Sequence, residues 1–96
     1  MEKICVHCYI SGRVQGVGFR HYAKKQATKQ QVTGWVKNLA DGRVEIFAGG
    51  ELANINEFIS WLHRGPASAD VIAVVCKSEP WQEFTDFSII RAMALE

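Results

Sequence analysis

Ninety-six residues are enough for one hydrophobic core and not for two, because domains run at roughly 100 to 200 residues; residues 1–96 are expected to form a single domain. With 48% hydrophobic and 22% charged residues the chain falls in the ordinary globular range, which excludes a disordered tail or a low-complexity linker. A formal net charge of +1 removes bulk charge as a reason to coat nucleic acid or a membrane surface.

Ile4, Val6, Cys8 and Ile10 alternate with Cys5, His7 and Tyr9, the period-two pattern of a half-buried strand. Ser11 to Gly18 reads as a loop, punctuated by Gly12, Gly16 and Gly18. Phe19, Tyr22, Ala23, Gln26 and Ala27 then recur at helical spacing, which predicts a helix to about Gln30 with Lys24, Lys25 and Lys29 on its wet side. Trp35 to Leu39 is a short strand, Asp41-Gly42 suits a tight turn with positive φ angles, and Arg43 to Ala48 is the returning strand. Leu52, Ile55, Phe58, Ile59 and Leu62 mark a second helix, stopped by Arg64, Gly65 and Pro66. Asp70 to Ser78 is a valine-rich strand, Pro80 breaks it, and Phe87 to Arg91 is a last short strand.

This order is the βαββαβ plan of an α/β (α+β) ferredoxin-like sandwich: an antiparallel sheet of four to five strands with two helices packed on one face. The plan alone names no function. No run reaches the ~18 apolar residues of a membrane span and no basic, then apolar, leader opens the chain, so a cytoplasmic protein is expected. Three cysteines make no disulfide framework and are expected as reduced thiols, with Cys76 a core or strand filler. Cys5 and Cys8, three apart on a strand, point to opposite faces and form neither a redox pair nor a metal site. His7, His21 and His63 fall on separate elements, so no metal is expected, and His21 is expected to be solvated. Trp35, Trp61 and Trp81 are expected to serve packing, and without an apolar repeat the protein is expected to be a monomer.

Charge is unevenly spread: the first fifty residues hold eight of the eleven basic side chains and three of the ten acidic ones. Within that half, Gly12-Arg13-Val14-Gln15-Gly16-Val17-Gly18-Phe19-Arg20 joins a strand to a helix start, where unpaired N–H groups and the helix dipole favour an anion. Backbone N–H groups of Gln15, Gly16, Val17, Gly18, Phe19 and Arg20 could form a nest for one phosphate, with the Arg20 guanidinium forking across two oxygens. The same glycines would also serve a tight structural turn. Neither G-x-x-x-x-G-K-[ST] nor G-x-G-x-x-G is present, His21 standing at the third glycine, so nucleoside triphosphates and dinucleotides are not expected. Crossover geometry brings the C-terminal ends of the first two parallel strands to one edge, so Asn38 can face the loop and hold a water; the alternative is that Asn38 caps the hairpin.

Gly12 to Arg20, Gly34-Trp35-Val36-Lys37-Asn38, Asp41-Gly42 with Val44-Glu45, and Gly65-Pro66 together resemble the acylphosphatase family over essentially the whole chain. The resemblance implies a ferredoxin-like fold and hydrolysis of small-molecule acyl phosphates to carboxylate and phosphate, without metal or other cofactor. It implies Arg20 as the phosphate-binding catalytic residue, Asn38 as the water-positioning catalytic residue, and the amides of Gln15 to Phe19 as the cradle. Ala92 to Glu96 overshoots the family's usual ending, and the length points to a stand-alone enzyme rather than to the related domain of carbamoyl-transferring maturation proteins.

Two rivals fit less well. A cysteine phosphatase needs C-x5-R, whereas Cys8 to Arg13 is C-x4-R with Cys8 on the apolar parity. A non-catalytic anion- or RNA-binding module shares the topology, and Tyr9 and Phe47 could face outward, but Arg43 to Phe47 lacks the RNA-recognition signature and places Glu45 where nucleic acid would lie. No nucleic-acid or membrane partner is therefore expected.

Overall fold

The computed structural model describes residues 2–91, and the Ala92 to Glu96 tail lies outside them. Seven elements follow in order: β1 (Lys3–Arg13), α1 (Phe19–Lys29), β2 (Thr33–Asn38), β3 (Val44–Glu51), α2 (Leu52–Arg64), β4 (Asp70–Glu79) and β5 (Phe87–Ile90). The strands form one sheet in the order β4-β1-β3-β2-β5. β1 pairs antiparallel with β3 and β4, and β3 antiparallel with β2, so β1 and β2 run the same way. β5 pairs parallel with β2, Lys37 opposite Ile90, which makes the sheet mixed rather than wholly antiparallel.

Alternation along the strands decides which face is covered. Val6, Cys8 and Ile10 of β1, Val36 of β2, Val44, Ile46 and Ala48 of β3, and Phe87 of β5 turn to the helices. There they meet Phe19, Ala23 and Ala27 of α1 and Ile55, Phe58 and Leu62 of α2, all at most 2% exposed. α1 lies over β2 and β5, and α2 over β4, β3 and β1. Gly65 ends α2 with φ +67°, its N–H donating to the Trp61 carbonyl at 2.8 Å; a Cβ there would stand 2.9 Å from the Phe19 ring.

The opposite face is less open than alternation predicts. β4 and β5 occupy opposite edges, roughly 19 Å apart at ~4.8 Å per strand, and residues 80–86 cross beneath the sheet to join them. Phe84 meets Phe47 edge-on with ring centres 5.6 Å apart, and Gln82 N–H reaches the Cys5 sulfur at 3.3 Å. Cys5, on the parity that should be wet, is thereby 1% exposed. His7 is not solvated either: its Nε2 lies 2.6 Å from a Glu45 carboxylate oxygen and its Nδ1 3.5 Å from one of Glu79.

One expectation is corrected outright. Cys8 and Cys76 stand directly opposite each other in the β1–β4 register, Cα atoms 4.0 Å apart, and are joined by a disulfide; Cys5 is the free cysteine. Parity placed Cys5 and Cys8 on opposite faces, but lateral register sets Cys8 against Cys76, and no intrastrand pattern encodes it.

Candidate active site

β1 runs on to Arg13, further than its alternation predicts, and the loop that follows stands at the end of the sheet where β2 also finishes. Gly16 has φ +75° and Gly18 φ +80°, left-handed conformations that side chains resist. An ideal Cβ on Gly16 would meet nothing within 4 Å, so that backbone faces open space. Gly18 is the N-cap of α1 and offers no side-chain cap, and the helix has no acidic residue in its first turn. Among the described residues, the backbone N–H groups from Gln15 to His21 therefore lack a protein acceptor; the first return bond of the helix is Tyr22 N–H to the Gly18 carbonyl at 3.0 Å. A run of unpaired donors at a positive helix end is a binding surface for an oxyanion.

Arg20, half-buried on the first turn of α1, has no carboxylate within ion-pair distance among the described residues. Its donors are thus available to a ligand. Asn38, the last residue of β2, shares the helix-side parity of Val36 and so turns toward the loop. Gln15, Gly16, Gly18, Phe19, Arg20 and Asn38 line one cavity of about 200 Å³, together with Val14 and His21, whereas the Val17 side chain lies toward Tyr22 and Trp61 instead.

The Asn38 Oδ1 decides between the two readings of that residue. It is buried and has no hydrogen-bond partner among the described residues, so it does not cap the hairpin. Gln15 holds the hairpin instead: its Nε2 donates to the Leu39 carbonyl at 2.8 Å and to the Arg43 carbonyl at 2.9 Å. The turn closes through Leu39 N–H to the Arg43 carbonyl, with Gly42 alone at positive φ, so Asp41 does not share the left-handed conformation expected of the pair. The Asp41 carboxyl is held below the usual carboxylate range, chiefly by the Arg43 backbone N–H. A buried acceptor aimed into a polar cavity and left unpaired costs stability unless a water or ligand proton meets it.

A profile of the acylphosphatase family matches residues 6–89. The chain belongs to that family. It is 46% identical over 89 residues to an acylphosphatase of Legionella pneumophila, covering 93% of this chain and 98% of that one. An acylphosphatase of Pseudomonas aeruginosa is 44% identical over 91 residues, covering 95% of this chain and all of its own. The solved structure of an acylphosphatase from Coxiella burnetii superposes with a TM-score of 0.89 at 41% identity, covering 92% and 93% of the two chains. The ferredoxin-like fold is thus the fold of the acylphosphatases it resembles.

Two contributors to the cavity escape sequence reasoning. Gln15 was expected to act through its backbone alone, and its side-chain link to the hairpin is a lateral contact between two loops. Arg91 and Ile89 line the cavity because β5 runs parallel to β2, bringing Arg91 level with Asn38; that pairing is invisible in the sequence. Among the described residues, no three His, Cys, Asp or Glu side chains are arranged to hold a metal ion.

Proposed function

We propose that this acylphosphatase binds the phosphate of an acyl phosphate on the Gln15–Arg20 amides and the Arg20 guanidinium, and attacks it with a water held by Asn38. The observation that carries the reading is the convergence of unpaired N–H donors, an unpaired arginine and the orphaned Asn38 Oδ1 on one cavity. Each is costly or idle in the protein alone, and a phosphate with an in-line water would satisfy all three.

The chemistry suits this small set of groups. Asn38 Oδ1 accepts a hydrogen bond from the water, leaving an oxygen lone pair directed at phosphorus. The water oxygen bonds to phosphorus as the bond from phosphorus to the acyl oxygen breaks, and the electron pair departs on the carboxylate. The water's proton passes to a phosphate oxygen. Because the leaving carboxylate is the base of an acid with pKa about 4, no general acid is needed. Arg20 and the amides meet the charge on the phosphoryl oxygens in fixed positions, which is where phosphoryl transfer gains most of its acceleration. A phosphate monoester would have to expel an alkoxide, for which enzymes usually supply an acid, a metal or a covalent nucleophile.

Hydrolysis of benzoyl phosphate in ¹⁸O-water with a chelator present tests this directly. Label in inorganic phosphate, with p-nitrophenyl phosphate left intact, is expected. Label in benzoate would mean attack at carbon and would remove Asn38 from its role, and loss of turnover with the chelator would reintroduce a metal. The RNA-binding alternative gains no support from the sheet face, where Glu45 and Glu79 flank His7 and Phe84 covers Phe47.

A further inference from the structure

Beyond the phosphate cavity, α1 and β5 border a second, shallow and open groove of about 570 Å³, lined by His21, Lys24, Lys25, Thr28, Lys29 and Ile89. His21 and Ile89 also line the phosphate cavity, so the two are adjacent. His21, Lys24, Lys25 and Thr28 follow the i, i+3, i+4, i+7 spacing that stacks side chains along one helix face. At 1.5 Å of rise per residue, Lys24 and Lys25 stand roughly 5 Å farther along the axis than His21.

Lysines on an outer helix face ordinarily meet solvent or acidic neighbours. The cationic members of the ion pairs among the described residues are His7, Arg43 and Lys77, so the exposed Lys24, Lys25 and Lys29 have no carboxylate partner there. Lys25 is instead set against the Tyr22 ring, its Nζ 5.9 Å from the centre. The chain therefore places cations without carboxylate partners in a groove beside the anion cavity.

We propose that this groove selects acyl phosphates whose acyl group carries a second negative charge, with Lys24 and Lys25 meeting that charge. The inference rests on the phosphate lying on the Gln15–Arg20 loop, and it assigns the acyl end, which the loop itself does not read. Ile89 supplies an apolar wall for the carbon chain between the two charges.

The test compares benzoyl phosphate with 4-carboxybenzoyl phosphate, whose rigid ring keeps the extra carboxylate from folding back onto the acyl carbon. At low ionic strength the wild type should favour the carboxylated substrate about tenfold in kcat/KM, and salt should erode the preference. In Lys24→Gln with Lys25→Gln the ratio should fall toward one; both positions are exposed, and a denaturant midpoint checks that the variant is folded. A wild-type ratio near one overturns the proposal while leaving the phosphate reading intact. A ratio that survives the double substitution overturns it as well, and failure of both substrates to turn over would overturn the loop reading together with this one.

Discussion

Asn38 is the residue whose role the geometry makes most specific. Its side chain stabilises neither the hairpin nor the core, yet it keeps an amide oxygen buried without a partner. If that oxygen holds the attacking water, Asn38→Ala should lower kcat for benzoyl phosphate on the order of a hundredfold, about 2.7 kcal/mol, with KM changed little. A rise in KM with kcat unchanged, measured by steady-state kinetics, would mean that Asn38 binds substrate instead. Arg20 and Asn38 were legible as a pair because their types fit the chemistry and the crossover predicts their meeting. Arg91 was not, because its place beside Asn38 depends on a strand pairing parallel at the sheet edge.

The elements explain why the pair is held in register. Gln15 leaves the phosphate loop by its side chain and fastens both carbonyls that flank the β2–β3 turn, one residue beyond Asn38. Gln15→Leu should remove the second hydrogen bond from each of those carbonyls, which keep their backbone bonds from Gly42 and Leu39, lowering stability by about 1 kcal/mol and kcat roughly tenfold. Denaturation with kinetics on the same protein checks both, and unchanged kcat in a destabilised variant would confine Gln15 to a structural role. At the other edge, the Cys8–Cys76 bond closes a sequence separation of 68 residues and ties β4 to β1. Reduction should lower unfolding stability by about 2–4 kcal/mol while leaving benzoyl phosphate turnover intact at 25 °C, since neither cysteine lines the cavity. A thiol titration of the unfolded, unreduced protein should count Cys5 alone. Apolar periodicity marked β1 and both helices, the Asp41-Gly42 turn marked β2 and β3, and valine content marked β4, whereas the disulfide depends on lateral register and has no signal along the chain.

At the scale of the whole molecule the sheet divides the labour. One face carries the helices and the core, one end carries the loop, Arg20 and Asn38, and the 80–86 segment crosses the remaining face to deliver β5, with Ile89 and Arg91, to the same end. Bulk charge was uninformative because the basic N-terminal half is balanced by an acidic remainder, but its concentration near α1 gives the site its positive surroundings. The element order conveyed the fold, the loop motif an anion site, and the family resemblance the reaction class; the covered second face and the Gln15 link required the folded chain. The central claim is that Arg20 holds the phosphate of an acyl phosphate as a planar fork. The most direct measurement is kcat/KM for benzoyl phosphate in the wild type, Arg20→Ala and Arg20→Lys, with inorganic phosphate as competitor. The account predicts phosphate-inhibited turnover in the wild type and a loss of at least about a hundredfold in both variants, since a lysine keeps the charge without the bidentate geometry. Turnover near the wild-type level in Arg20→Lys, with inhibition by phosphate unchanged, would contradict it.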